Sequence, residues 1–142
     1  MTWPLVVHGA ATWAMVGVIW MVQIVHYPLF AAVGTAQFAD YERSHQLRIT
    51  WVVAPLMAIE LITAAWLVAA PPAGVSRWVL WLGLALVVVN WGATALVQVP
   101  LHERLAAGFV ATAHAQLVAT NWIRTIAWTL RGGLAAWLLA RA

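Results

Sequence analysis

Four long apolar runs limit what this chain can fold into. Each has about the 20 residues that a helix needs to cross the hydrocarbon core of a bilayer. The chain is 65% hydrophobic and 8% charged, whereas a soluble domain carries about 25% charged residues. The sequence therefore predicts an all-α fold, an integral membrane bundle of four transmembrane helices in a single domain, residues 1–142. The runs cover about residues 3–27, 49–70, 78–99 and 111–130, and an extension of the last one to Leu139 is left open.

The links between the runs indicate a simple topology. Pro28 and Pro100 are expected to end the first and third helices, and the first and third links, residues 34–48 and 100–110, are expected to form short interfacial helices. Four spans place both termini on the same side, and the distribution of Arg slightly favours the cytoplasm. We expect a bacterial-type inner or plasma membrane, with the N-terminal run retained as a helix rather than cleaved as a signal peptide.

The composition excludes several classes of function. The chain has no Cys, which excludes disulfides and thiolate metal sites, and no Lys, which excludes Schiff-base chemistry. Its seven basic residues and formal charge of +3 are too few for a nucleic-acid surface. The expected partners are the lipid bilayer itself, a lipid-soluble aromatic small molecule, and further copies of the chain or a larger membrane complex.

An internal repeat is a further expectation. The first run ends in VQIVHYPLF and the third in ALVQVPLHE, so each has a Gln shortly before a Pro-Leu pair. The pattern predicts two similar helical hairpins related by an axis along the membrane normal.

Polar side chains at membrane depth are the first candidate functional residues, since they are costly there. They are Glu60, Asn90, Asn121 and Arg124. A carboxylate at the bilayer centre costs roughly 2.5–3.5 kcal/mol, so we expect Glu60 to be protonated or paired, with Arg124 as first partner and Arg48 as second. One interpretation is a set of polar contacts that fix the helix register; the other is a proton-transfer or substrate-binding centre with Glu60 as the base.

Histidines form the second candidate group, nearer the first and third links. Imidazole binds Fe, Cu and Zn, and paired histidines can hold a haem, so the sequence predicts a possible metal or haem site with cofactor-free function as the alternative. Glu42 and His45 have the Glu-x-x-His spacing of carboxylate-bridged sites. The alternative is that Glu42, His45 and Glu103 merely solvate the links. The predicted metal ligands are His26, His45, His102 and His114.

The eleven Trp residues allow two interpretations. Those near the run ends fit the aromatic belt of a membrane protein. The deeper ones either face lipid or line a cavity for a flat aromatic ligand, and the candidates for stacking on such a ligand are Trp91, Trp122 and Trp128.

Two phrases of the sequence resemble the anthrone-oxygenase-like family of small four-helix integral membrane proteins. They are Thr94 through Val99-Pro100-Leu101-His102 to Leu105, and Asn121-Trp122-Ile123-Arg124-Thr125. The first half is similar more loosely, through His26-Tyr27-Pro28-Leu29. The family usually has Asn after Pro-Leu, where this chain has His102, and this departure makes a metal more plausible here.

The resemblance implies oxidation of an electron-rich aromatic, phenol or quinol by O2 without a classical cofactor. On this hypothesis Asn121 and Arg124 hold a phenolate oxygen, and His102 or His114 accepts the proton. Two other classes stay open. One is a haem- or metal-binding electron carrier, and the other is a non-catalytic subunit of a larger membrane complex.

Overall fold

A bundle of four helices makes up the fold, in a computed structural model that describes residues 3–141. Within that range there is no strand, and the predicted all-α fold with four helices is confirmed. The helices are α1 (Trp3–Ala32), α2 (Phe38–Ala69), α3 (Arg77–Ala106) and α4 (Ala111–Leu139). By length and composition, α1, α2 and α3 are long and apolar enough to cross a membrane.

Successive helices run in opposite directions, and each packs against its two neighbours in sequence, with α4 closing the bundle against α1. One end, which we call the terminal end, contains a cluster of four buried leucines, Leu5, Leu67, Leu80 and Leu138. The opposite end, the link end, contains an apolar cluster that includes Tyr27, Phe30, Phe38, Leu101 and Leu105. The α1–α2 and α3–α4 links therefore lie at one end of the bundle, and the first and last helical residues lie at the other.

Polarity is distributed inside out in this bundle. Large apolar side chains cover the outer surface, whereas Glu60, Asn90, Asn121 and Arg131 are among the least exposed residues. In water this arrangement would leave apolar surface uncovered, and in a bilayer it keeps the polar groups away from the lipid. The distribution is therefore compatible with a membrane protein.

Two prolines do not end their helices, contrary to the prediction. Each follows a π-helical turn, Val22–His26 before Pro28 and Thr94–Gln98 before Pro100. The backbone N–H of Tyr27 bonds to the carbonyl of Val22, five residues back, and Val99 bonds to Thr94 in the same way. The wider turn gives the proline ring room that a regular α-helix lacks, so the helices continue to Ala32 and Ala106.

The short interfacial helices predicted for the first and third links are also wrong. Helix α2 begins at Phe38 and runs unbroken to Ala69, so most of the first predicted link belongs to α2. Residues 99–106 belong to α3 in the same way. The matching π turns in α1 and α3 support the predicted internal repeat, which stays a prediction.

Helix α4 extends to Leu139, as the sequence left open. Within the extended part, a Cβ at Gly132 would lie 3.0 Å from Val16 Cγ2 on α1. The close approach of α1 and α4 therefore depends on the missing side chain, and it places Arg131 inside the bundle rather than beyond its end.

Candidate functional site

A cavity of about 320 Å³ lies between α2 and α3; we call it the α2–α3 cavity. It lies where the π turn Thr94–Gln98 faces Val53, Ala54 and Met57 of α2. Exposed residues such as Ala54 and Trp91 form its mouth, and buried residues form its inner end. Its volume falls within the range of small-molecule sites, roughly 300–1,000 Å³.

Four polar side chains meet at the inner end of the cavity, which we call the polar end: Tyr27, Gln98, His102 and Arg124. All four are buried, and they come from α1, α3 and α4. An apolar passage that ends in a few convergent polar groups is the usual form of a small-molecule site.

The imidazole of His102 joins a tyrosine and a carboxylate. Its Nε2 lies 2.8 Å from the hydroxyl of Tyr27, and its Nδ1 lies 2.5 Å from Glu42 Oε1. If Nδ1 carries the proton and donates to the carboxylate, Nε2 is left as the acceptor that faces Tyr27. A carboxylate that orients a histidine base is a recurring arrangement in proton transfer.

Helix α4 holds Arg124 in place at the polar end. One terminal nitrogen of Arg124 donates to Asn121 Oδ1 at 3.2 Å, and the guanidinium carbon lies 5.2 Å from the centre of the Trp128 ring. The Asn121 amide in turn donates to Gln23 Oε1 on α1 at 2.9 Å. Asn121 therefore orients Arg124 without lining the cavity itself.

Several buried polar atoms have no hydrogen-bond partner within residues 3–141. Two of them, Arg124 Nε and Gln98 Oε1, belong to residues of the polar end. Both amide atoms of Asn90 are also without a partner in this part of the chain. Burying such groups unpaired costs about 1–3 kcal/mol each, so residues of the polar end carry one unsatisfied donor and one unsatisfied acceptor.

The four histidines do not form one metal site. Those on α1 and α2 bond to each other, His26 Nε2 to His45 Nδ1 at 2.9 Å, while both ring nitrogens of His102 are engaged as described. His114 Nε2 instead bonds to the backbone carbonyl of Tyr27 at 2.7 Å. Among the described residues no group of three or more His, Cys, Asp or Glu is arranged to hold a metal ion. The predicted metal site is therefore unsupported, and haem binding stays a prediction.

The predicted partner of Glu60 is wrong. Arg131, and neither Arg124 nor Arg48, pairs with the carboxylate, through Nη2 at 2.8 Å and Nε at 3.2 Å from Oε1. Trp128 Nε1 donates to the second oxygen at 2.8 Å. Both oxygens of Glu60 are thus occupied, and the carboxylate lies outside the lining of the α2–α3 cavity. This geometry favours a structural role over the predicted role as a base.

The three tryptophans proposed for stacking occupy different positions. Trp91 lines the mouth of the cavity. Trp128 is fully buried beneath Arg124. Trp122 lies on the outer surface and contacts Trp20 edge to face, with 5.7 Å between ring centres. Ten of the eleven tryptophans are exposed, so the interpretation that they face the surroundings of the bundle fits all but Trp128.

Sequence reasoning missed Tyr27 and Arg131 as parts of these networks, and it considered Glu42 only as a possible metal ligand or a residue that solvates the link. The available signal for Glu42 was its one-turn spacing from His45, which the extent of α2 now places inside the bundle. Tyr27 directly precedes Pro28, and the π turn there rotates its side chain towards the interior.

Comparisons with protein families, with curated proteins and with solved structures found no match to this chain. The resemblance to the anthrone-oxygenase-like family therefore stays an expectation.

Proposed function

We propose that this chain is an integral membrane protein that binds a lipid-soluble phenol or quinol in the α2–α3 cavity and accepts the proton of its hydroxyl. The observation that carries the proposal is the polar end of an otherwise apolar cavity, where Arg124 Nε and Gln98 Oε1 have no partner within residues 3–141. A phenolic hydroxyl accepts a hydrogen bond from the Arg124 guanidinium and donates its own hydrogen towards Tyr27 and His102, so it suits a polar end that holds a donor beside a proton acceptor.

The membrane part of the proposal has separate support. Helices α1, α2 and α3 have the length and apolar composition of membrane spans, and the outer surface of the bundle is apolar while the interior is polar. A bilayer supplies both the solvent for that surface and the lateral route by which an apolar ligand reaches a cavity that opens between two helices.

Proton transfer is the chemistry that the polar end supports. The ligand hydroxyl lies next to Tyr27 and His102, and Glu42 stabilises the imidazolium that forms when His102 takes the proton. Arg124 carries a permanent positive charge, which stabilises the phenolate oxygen as it develops. Gln23 and Asn121 keep Arg124 in position for this role.

We extend the proposal to an oxidoreductase that uses O2, which dissolves in the membrane. A hydroquinone loses two electrons and two protons and becomes the quinone, and one O2 takes up both and becomes hydrogen peroxide. The protein's part is to create the phenolate, which gives up an electron more readily than the neutral phenol.

The test uses detergent-purified protein and a lipid-soluble nitrophenol, whose phenolate absorbs visible light. We expect the wild type to bind the probe and convert it to phenolate, and Arg124→Met to weaken binding by about tenfold or more. Arg104→Met is the matched control, since Arg104 is exposed on α3 and away from the cavity. Equal binding by the Arg124 variant and the wild type would overturn the proposal.

A second experiment separates binding from oxidation. With a lipid-soluble hydroquinone, the extended proposal expects one O2 consumed and one hydrogen peroxide formed for each quinone. Binding without O2 uptake would leave a ligand-binding membrane protein and remove the oxidase step. An absorption spectrum and elemental analysis of the same sample decide between this function and a haem- or metal-binding protein, and stoichiometric co-purifying chains would indicate an accessory subunit.

The membrane topology is tested by reporter fusions. We propose that both termini lie on the same side of the membrane, because four antiparallel helices cross it, and we expect that side to be the cytoplasm. Fusions at each end to a reporter that is active only in the cytoplasm are then both active, and an active fusion at one end alone contradicts the topology.

A further inference from the structure

A second opening lies on the other side of α2 from the α2–α3 cavity. It is a groove of about 500 Å³ between α1 and α2 at the link end, which we call the α1–α2 groove. His26 and His45 line it together with Tyr41, Ser44 and Arg48. The proposed function leaves this groove without a role, although it lies next to the proton-accepting residues.

Side chains between the two openings form an almost continuous series of hydrogen bonds. From the α2–α3 cavity the series runs from the Tyr27 hydroxyl to His102 Nε2 at 2.8 Å and from His102 Nδ1 to Glu42 Oε1 at 2.5 Å. From the groove it runs from His26 Nε2 to His45 Nδ1 at 2.9 Å. The residues between the ends, Glu42 and His45, are both buried.

The gap between the two halves of the series lies between Glu42 and His45. Glu42 Oε2 and His45 Nε2 are both buried and have no hydrogen-bond partner in the described part of the chain. Glu42 and His45 are one turn apart on α2, so their side chains share a helix face. The rings of His45 and His102 are also close, with 5.3 Å between their centres.

We infer that Glu42, His45 and His26 form a proton route from the α2–α3 cavity to the α1–α2 groove. The inference rests on the proposed function for the source of the proton, and on the hydrogen-bond geometry for its path. A proton route gives a function to Glu42 and His45, which are buried one turn apart and each have one atom without a hydrogen-bond partner in the described part of the chain. Without such a function, these two atoms would only destabilise the fold.

In each transfer, one proton enters the route from the α2–α3 cavity and one proton leaves it into the α1–α2 groove. The ligand hydroxyl gives its proton to Tyr27 as Tyr27 gives its own to His102 Nε2, and His102 Nδ1 releases a proton to Glu42. Glu42 holds this proton on Oε1, and rotation of the carboxyl group then brings the proton to His45 Nε2. His45 then gives the proton on Nδ1 to His26 Nε2, and His26 releases one from Nδ1 into the groove. Rotation of the carboxyl and the rings restores the starting arrangement.

The direct test follows the ring N–H of His102 by magnetic resonance in protein that carries isotope-labelled histidine in lipid nanodiscs. We expect this proton to exchange with water through the route, and His45→Gln to slow the exchange by about tenfold or more, since an amide does not relay protons as imidazole does. Ser44→Ala is the matched control, because Ser44 lines the same groove and lies outside the route. Unchanged exchange in the His45 variant would overturn the inference.

Chemical rescue separates a relay from a structural role. His45→Ala removes the ring and leaves a space that continues into the groove, so added imidazole is expected to restore fast exchange in this variant and to have no effect on Ser44→Ala. A His45→Ala protein that keeps its helical content but exchanges slowly at every imidazole concentration contradicts a relay.

The nitrophenol probe distinguishes this inference from the proposed function. In a rapid pH-jump experiment the His45 variant is expected to bind the probe as tightly as the wild type, but to form phenolate about tenfold more slowly. If the wild type does not bind the probe, the proposed function fails, and the exchange of His102 still decides the proton route. If binding is intact and the rate is unchanged, the route fails alone.

Discussion

Arg131 holds the Glu60 carboxylate through two nitrogens, and its Nη1 bonds to the carbonyl of Gly83 at 2.8 Å. One buried guanidinium thereby ties α4 to both α2 and α3. Trp128 donates to the second oxygen of the same carboxylate. This contact lies at the terminal side of the polar interior and fixes the positions of the helices that carry the candidate site.

Arg131→Met is expected to lower the free energy of unfolding by about 3–5 kcal/mol, because it leaves Glu60 buried and unpaired. Reversible unfolding in mixed detergent micelles measures the loss. The double variant with Glu60→Gln should recover part of it, since Gln removes the charge and keeps an acceptor for Trp128. Arg77→Met, at an exposed position, is the control, and an equal effect there would contradict the importance of the pair.

Gly132 and Gly133 provide a matched pair for the packing of α1 against α4. A Cβ at Gly132 meets Val16 at 3.0 Å, whereas one at Gly133 has nothing within 4 Å. We expect Gly132→Ala to destabilise the bundle by about 1 kcal/mol through overpacking. Gly133→Ala should stabilise it by up to about 1 kcal/mol through helix propensity. Thermal unfolding of the two variants side by side is the measurement, and identical shifts would show that this contact is not tight.

Ala54→Phe is expected to block the α2–α3 cavity without altering its polar end. Ala54 lines the mouth, so the added ring occupies the space of a ligand. Binding of the nitrophenol should weaken by about tenfold or more, measured by titration of the visible absorbance. Ala65→Phe adds the same ring at an exposed position of α2 outside the cavity and should leave the affinity unchanged. Tight binding by the Ala54 variant would place the ligand elsewhere.

His102→Asn places at this position the residue that the resembled family usually has after Pro-Leu. Asparagine has no ring nitrogen to accept a proton, so we expect the bound probe to stay protonated, with at least about a tenfold loss of phenolate. The affinity should change much less, because Arg124 and Gln98 remain at the polar end. Absorbance spectra of saturated protein measure the phenolate fraction, and full phenolate formation in this variant would exclude His102 as the acceptor.

Prediction from the sequence was accurate for features that depend on local chemistry. Apolar runs of sufficient length predicted four helices, and the polar residues within them predicted which positions lie in the interior. His102, Arg124 and Trp91 were chosen as site residues, and the structure brings all three to one cavity. The α4 face that carries Asn121, Arg124 and Trp128 also follows from their spacing of three and four residues.

The prolines mark where local reasoning failed. Proline alone predicts the end of a helix, but a π turn before Pro28 and Pro100 absorbs the steric conflict and lets each helix continue. This difference moved Tyr27 and His102 into the bundle and created one wall of the cavity. The conformational preference of proline alone does not predict these π turns.

By itself, the sequence determined the class of the protein: an all-helical chain with an apolar exterior and polar residues on the inner helix faces, since helix period and composition are properties of the chain. Only the tertiary structure decided which polar groups meet. Arg124 and Arg131 are seven residues apart, about two turns, and share one face of α4. Glu60 pairs with Arg131, next to the close contact between Gly132 and Val16, and Arg124 faces the cavity. The choice between the two arginines depends on how far α4 is displaced along its neighbours, which helix period and composition do not encode.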